Sequence, residues 1–203
     1  MLINIVNLFL KAFQKISKLK NRLVNNFILN INKVYFERDI EIHGILNVRN
    51  IGNIHIGRKF SVNSGVNFNP IGGDTICNLI TQTKEAVISI GNNVGISNST
   101  IYAWAEIIIS DNVIIGGGTR IWDSDFHSTN SITRMSAFDN DISSKPIHIK
   151  EYVFIGGGSI ILKGVTIGEN SIIAAGSVVT KNIPANCIAG GNPCVVIKSL
   201  LNA

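Results

Sequence analysis

The sequence predicts an all-β solenoid: short parallel strands, turned three to a coil, built on a repeat of six residues. Three observations carry this expectation. An aliphatic residue recurs at every sixth position from Ile149 to Val179 without a gap. Glycine and asparagine gather between the repeats, where a chain must turn. The composition, 45% hydrophobic and only 15% charged with 19 glycines, suits strands joined by tight turns. A disordered chain would be more charged and less apolar.

The ungapped series is Ile149, Ile155, Ile161, Ile167, Ile173 and Val179. Four residues after each member stand Val153, Ser159, Val165, Ser171, Ser177 and Ile183, all small or β-branched. A period of six fits neither an α-helix nor an alternating meander. It fits flat strands whose aliphatic residue points into a prism-shaped core. Each coil then pairs its backbone with the coil below, about 4.8 Å away. The phase recurs earlier in Ile109, Ile115 and Ile121, in Ile90, Ile96 and Tyr102, and in Ile56, Val62 and Phe68. One extra residue breaks it between Tyr102 and Ile109. Gly91-Asn92-Asn93 and Gly168-Glu169-Asn170 suit the corners, where positive φ is often needed.

The repeat fails once in its strongest stretch. The residue six after Ile121 is His127, and the next rung, Ile149, lies 22 residues on, which is not a multiple of six. The chain is therefore expected to leave the solenoid over residues 127–148. This excursion is polar and holds Arg134, Asp139, Asp141 and Lys145-Pro146. Long loops on rigid scaffolds often carry function.

The segments IGNNVGIS, IISDNVIIGGGTRIWDSDFHS and KPIHIKEYVFIGGGSIILKGVTIGENSIIAAGSVVTKNIPANCIAGGNPCVVIK resemble the hexapeptide-repeat acyltransferases. Within them, the O-acetyltransferases that act on sugars and surface polysaccharides are most similar. The resemblance covers about residues 50–198. It implies a left-handed parallel β-helix, a homotrimer with active sites between subunits, acetyl-CoA as co-substrate and no metal. The left hand rests on the resemblance alone, since ordinary parallel crossovers are right-handed.

Acyl transfer to a hydroxyl needs a base, and neutral imidazole is well matched to that task. In the resembled family the histidine of a DxDFH setting is that base, which implies the role for His127. Asp125 or Asp123 can hold the ring's tautomer, or either can cap a turn. A thioester is already activated, so direct attack in a ternary complex suffices, with a backbone N–H as oxyanion donor. The resemblance points to the Gly156-Gly157-Gly158 run, and Gly157 is either that donor or a plain structural glycine.

The resemblance also places CoA along the AAGSVVTK stretch, with Ala175, Thr180 and Lys181 lining the groove. Lys181 and Lys198 can meet phosphates as point charges. Ala175 can equally be a core-wall residue. Two positions depart from the family pattern: Val195 stands where relatives often carry a second basic residue, and Phe154 where they often carry Trp. For the acceptor, the resemblance implies Ser97, Asn98 and Trp104 on the coil below the histidine, with Trp122 and Arg134 as further candidates. The acceptor class stays open among a sugar hydroxyl, an amino sugar, serine and an antibiotic.

The division expected is residues 1–40, then a β-helix over 41–203 with a C-terminal tail at 184–203. Residues 69–87 fit either a loop or an irregular coil. Residues 2–31 read as a helix with apolar Leu2, Val6, Phe9, Phe13, Ile16, Leu23, Phe27 and Leu29, and basic residues between 11 and 22. Such a basic amphipathic pattern fits attachment to an anionic membrane surface. It also fits a cap over the open end of a solenoid.

Charge and cysteine usage exclude several classes. Residues 1–40 hold seven basic and two acidic side chains, and the remainder eleven of each. The body thus has no excess positive charge for nucleic acid. Three widely spaced cysteines make neither a disulfide framework nor a Cys-built metal site, which fits a cytoplasmic chain. The first uncharged run, Leu2 to Leu10, is too short to span a bilayer and a poor signal peptide. A γ-class carbonic anhydrase would need three converging histidines. His43, His55, His127 and His148 lack the five-residue separation expected of two ligands. A purely structural or ice-binding β-helix would not carry a histidine-anchored interruption.

Overall fold

In a computed structural model of the chain, the described residues are 2–136 and 141–201, with side chains described from residue 15 onward. Asp139, in the expected excursion, lies outside them, as do the side chains of Leu2, Val6, Phe9, Lys11 and Phe13. After the first helix, Leu2–Ile31, the chain folds into three sheets in which every third strand pairs with the same neighbour. The first sheet runs from Tyr35–Phe36 through Asn53–Ile56, Val87–Ile90, Glu106–Ile109 and Ile147–Ile149 to Thr166–Ile167. The second begins with Glu41–His43 and contains Gly95–Ser97, Ile114–Ile115 and Phe154–Ile155. The third begins with Asn47–Asn50 and contains Thr100–Ala103, Arg120–Trp122, Ile160–Ile161 and Val178–Val179. All ladders are parallel except the last of the second sheet, where Val195–Ser199 runs antiparallel to Cys187–Gly190. This is the three-sided prism of a parallel β-helix.

The period of six arises because one face of a coil holds one short strand and one corner. Every member of the series Ile149 to Val179 is fully buried. Burying such a side chain is worth about 1.5–3 kcal/mol, so the stacked rungs dominate the stability of the prism. The small residues four positions on are buried too. Where they are serines, their hydroxyls are satisfied by corner carbonyls: Ser159 donates to Gly156 O at 2.7 Å and Ser177 to Ala174 O at 2.6 Å. One corner is held by asparagines in the left-handed region. Asn93, Asn112, Asn170 and Asn186 have φ between 55° and 61°, and Asn93 Nδ2 donates to Asn112 Oδ1 at 2.9 Å.

Three details differ from the expected phase. The inward residue after Ile96 is Ile101, not Tyr102. The Ser97-Asn98-Ser99 corner is one residue shorter than Gly116-Gly117-Gly118-Thr119 on the next coil, so the strand enters early and Tyr102 turns outward. Phe68 is no rung either, but is part exposed and stacks on His43 at 6.1 Å between ring centroids. Residues 64–77 leave the prism in a loop with a 3₁₀ turn at Pro70–Gly72, and Asn78–Thr81 then rejoins the third sheet. Lastly, strand pairing begins at Tyr35–Phe36, inside the segment assigned to the N-terminal unit.

The long excursion starts directly after Arg120–Trp122 and ends at Ile147–Ile149, so His148 belongs to a strand. Its two legs zip together: Asp125 N donates to Ser143 O at 3.0 Å and Lys145 N to Asp123 O at 2.9 Å. A five-residue helix, Ser131–Met135, lies within it, its first turn capped by the Asn130 side chain.

Candidate active site

The root of this loop is built on a buried carboxylate. Asp123 accepts from the backbone N–H groups of Trp104, Ala105 and Glu106 at 2.6, 2.7 and 2.7 Å. Burial pushes its pKa up, and the three donors oppose that push. Asp123 therefore stitches the end of its coil to the turn below. This corrects its assignment to the imidazole, because both carboxylate oxygens are taken by main chain. Asp125, two residues on, forms an ion pair with Lys163 at 2.8 Å, with both side chains roughly a quarter to a third exposed.

Phe126 then adopts φ +62°. A bulky side chain in the left-handed region is costly and persists only where its surroundings hold it. Tyr102 and Trp122 supply the hold, with ring centroids 5.3 and 6.0 Å from Phe126. The next residue, His127, is exposed at the root of the loop. Ser128 beyond it is buried, and Arg134 donates to the Ser128 carbonyl at 2.8 Å. Arg134 thus braces the backbone beside the histidine.

A cavity of about 160 Å³ opens here, lined by Trp122, Ser124, Asp125, Leu162, Lys163 and Thr180. It brings together three residues predicted from sequence, Trp122, Asp125 and Thr180. It also contains Lys163 and Leu162, which sequence reasoning missed. Lys163 lies 38 positions from Asp125 in an unremarked corner, and only the stacking of coils sets the two side by side.

The glycine corner lies at the opposite edge of the third sheet. Asn98, Gly118, Gly158 and Gly176 stack there with φ between 40° and 75°. The Gly157 carbonyl accepts from Gly176 N–H at 2.9 Å. Its own N–H has no acceptor among the described residues and is half-buried at the corner. A Cβ on Gly157 would come 2.9 Å from Gly117 O, so close stacking demands glycine whatever else the position does. Ala175 is exposed above Gly156 and is not a core-wall residue. The strand Ile160–Ile161 separates this corner from Lys163, so a single chain does not bring Gly157 and His127 together.

Asn98 has a structural task in place of the acceptor role. Its Oδ1 accepts from Gly65 N–H and its Nδ2 donates to Asn69 O, both at 2.6 Å. It thereby holds the 64–77 loop against the corner. Ser97 is half-buried beside it, with Asn63 Nδ2 at 3.5 Å. Trp104 stands at the other edge, its N–H on Asp123 and its carbonyl accepting from Thr83 at 2.9 Å. Lys181 is exposed next to Thr180, whereas Lys198 is exposed on the antiparallel strand of the second sheet, opposite Ile188. Val195 and Phe154 are both exposed. No group of three or more potential metal ligands occurs among the described residues.

Residues 146–181 match the family described as bacterial transferase hexapeptide (six repeats). A galactoside O-acetyltransferase of Lactococcus lactis is 37% identical over 103 residues, covering 51% of this chain and 48% of the relative. The chain spans about half the length of the curated relatives it matches. Among solved structures, a galactoside acetyltransferase in complex with coenzyme A is 29% identical with a TM-score of 0.53, covering 82% of this chain and 64% of that one. A hexapeptide-repeat-containing acetyltransferase of Vibrio cholerae is 33% identical with a TM-score of 0.58, covering 72% of this chain and 73% of that one. With this likeness, the unbroken rungs and the three-sheet prism, the chain is a left-handed parallel β-helix that belongs to the hexapeptide-repeat acetyltransferase family.

Proposed function

We propose that the chain transfers an acetyl group from acetyl-CoA to a hydroxyl of a sugar or surface-polysaccharide precursor in the cytoplasm, with His127 as general base. One observation carries this. The long break in the solenoid holds an exposed imidazole behind a strained phenylalanine, two residues past Asp125 and its cavity.

In this reading the His127 imidazole takes the proton of the acceptor hydroxyl as its oxygen bonds to the thioester carbonyl carbon. The tetrahedral oxyanion is met by the Gly157 N–H. Collapse breaks the carbon–sulfur bond, and the imidazolium returns the proton to the CoA thiolate. Asp125, anchored by Lys163, is the carboxylate to which we assign the orienting of the imidazole. CoA runs past Ala175, Thr180 and Lys181, with Lys198 available to its phosphates. Ser97, Trp104, Trp122 and Arg134 border the acceptor side, the last through its brace on the loop.

The two halves of this site lie at opposite edges of the third sheet, so a second copy of the chain supplies the missing half. We assign that arrangement to a homotrimer. The outward positions Ile114 and Phe154, large and apolar on adjacent strands of the second sheet, support burial of that face between copies.

The test is acetyl-CoA consumption with purified protein and a panel of mono- and oligosaccharides, extended to an amino sugar, serine and an antibiotic. Turnover on sugars and a His127→Ala loss of about 10²–10⁴-fold with the fold retained are expected. Unchanged turnover in His127→Ala rejects the base, and turnover confined to an amine rejects the hydroxyl acceptor.

A further inference from the structure

The first helix is mounted the opposite way from most surface helices. Its inward face is polar: Asn21 and Asn25 are buried. Asn25 donates to Gly44 O at 2.8 Å and accepts from Leu46 N–H at 3.0 Å. Asn32 O accepts from Asn50 Nδ2 at 3.0 Å, and Leu29 adds a fully buried apolar contact. The helix contacts the first strand of each of the three sheets and so covers the end of the prism.

Its outward face is apolar. Ile16, Leu19, Leu23, Phe27 and Ile31 are between 59% and 66% exposed. At 100° per residue the first four fall within an arc of about 80°. Large side chains in one exposed stripe mark a contact surface. Lys15, Lys20 and Arg22 are exposed along this stretch of helix, and none has a carboxylate partner among the described residues. Lys15, Lys18 and Arg22 share a groove with Ile16 and Leu19. Residues 2–31 contain no acidic side chain.

We infer that this face lies on an anionic lipid surface, with the apolar stripe in the headgroup–acyl boundary and the basic residues at the phosphates. The charge pattern decides between this and a second copy of the helix. Two such faces together would bring lysines against lysines with no carboxylate in either helix to compensate. No described helix is long and apolar enough to cross a membrane, so the contact is in-plane. The helix's grip on the prism through Asn25 leaves the stripe free while the solenoid end stays closed. An acceptor tied to a lipid would be presented at that surface. The docking does not depend on the catalytic assignment.

The full chain is sedimented with vesicles of phosphatidylcholine alone and of equal parts phosphatidylcholine and phosphatidylglycerol. Binding to the anionic vesicles only, with release at high salt, is expected. Leu23→Glu/Phe27→Glu abolishes binding while the circular dichroism spectrum is kept. Lys15→Glu/Lys20→Glu weakens binding by about fivefold or more for each charge reversed. His127→Ala binds as the natural protein does, so failure of the chemistry leaves this result intact. No binding to anionic vesicles, or binding undiminished in Leu23→Glu/Phe27→Glu, overturns the inference. So does a change of oligomer mass in that variant without vesicle binding in the natural protein, which would make the stripe a contact between copies.

Discussion

Lys163 Nζ sits 2.8 Å from Asp125 Oδ2 and ties the root of the long loop to the coil above it. The pair is partly exposed, so its contribution to stability is about 0.2–1 kcal/mol. Lys163→Ala should therefore barely change the melting temperature. If the pair positions Asp125 beside the base, kcat should fall by about tenfold or more and the pH profile of kcat/KM should move. Lys163→Arg should restore much of the rate. Equal rates in Lys163→Ala and the natural protein would assign the pair to the surface alone.

Phe126 offers a comparison in which the usual order of substitutions reverses. Alanine at 126 loses the Tyr102 and Trp122 contacts and keeps the left-handed strain, whereas glycine loses the contacts but sheds the strain. Phe126→Gly should be more stable than Phe126→Ala by about 0.5–1 kcal/mol. Thermal unfolding of the two variants decides it, and both should lose activity as the loop root loosens.

Two neighbouring glycines should respond unequally to alanine. At Gly156 an added Cβ would stand 2.5 Å from Ala175 N and 2.8 Å from its Cα, both backbone atoms of the next coil. At Gly158, with φ +71°, it would meet nothing within 4 Å. Gly158→Ala should cost about 1–2 kcal/mol from conformation alone. Gly156→Ala should cost about 3 kcal/mol or more, because coil spacing must widen. Urea denaturation at matched protein concentration gives both values.

Asp111 supplies a pH dependence. It accepts from Asn92 N–H at 2.7 Å and from Asn92 Nδ2 at 3.1 Å, and these bonds hold its carboxyl below the usual carboxylate range. A depressed acid stabilises the folded state above its unfolded pKa, and that contribution disappears as pH falls through the folded value. Asp111→Asn should thus lower the melting temperature at neutral pH and flatten its decline below about pH 4. A parallel decline in both proteins would show that other carboxylates set the acid limb.

The rungs from Ile149 onward were legible because one residue type answers one physical demand, an aliphatic side chain at the centre of each face. The phase misled at Tyr102, where a corner is one residue shorter, and at Phe68, which lies in an inserted loop; neither change alters the hydrophobic count. The break at His127 was legible for the same reason as the rungs: a polar residue stands where the core requires an aliphatic one. Contacts between coils were not. Asp125 with Lys163, and Asp123 with the Trp104–Glu106 turn, depend on which corners stack. The inserted loops at 64–77 and after Trp122 hide that in a linear count. Asn98 read as a sugar ligand because nothing in its own neighbourhood reveals that residues 65–69 fold over it.

A stack of identical coils has no intrinsic stopping point, since each terminal layer is a template for another molecule's layer. Here the bottom layer is covered by a helix whose Asn25 occupies a carbonyl and an amide of the lowest coil, Gly44 O and Leu46 N–H. At the far end the chain reverses, and Val195–Ser199 runs against the ladder's direction. Stacking of a further coil is thereby opposed at the base, where hydrogen-bonding groups are already taken, and on the second sheet at the summit, where the parallel ladder is not continued.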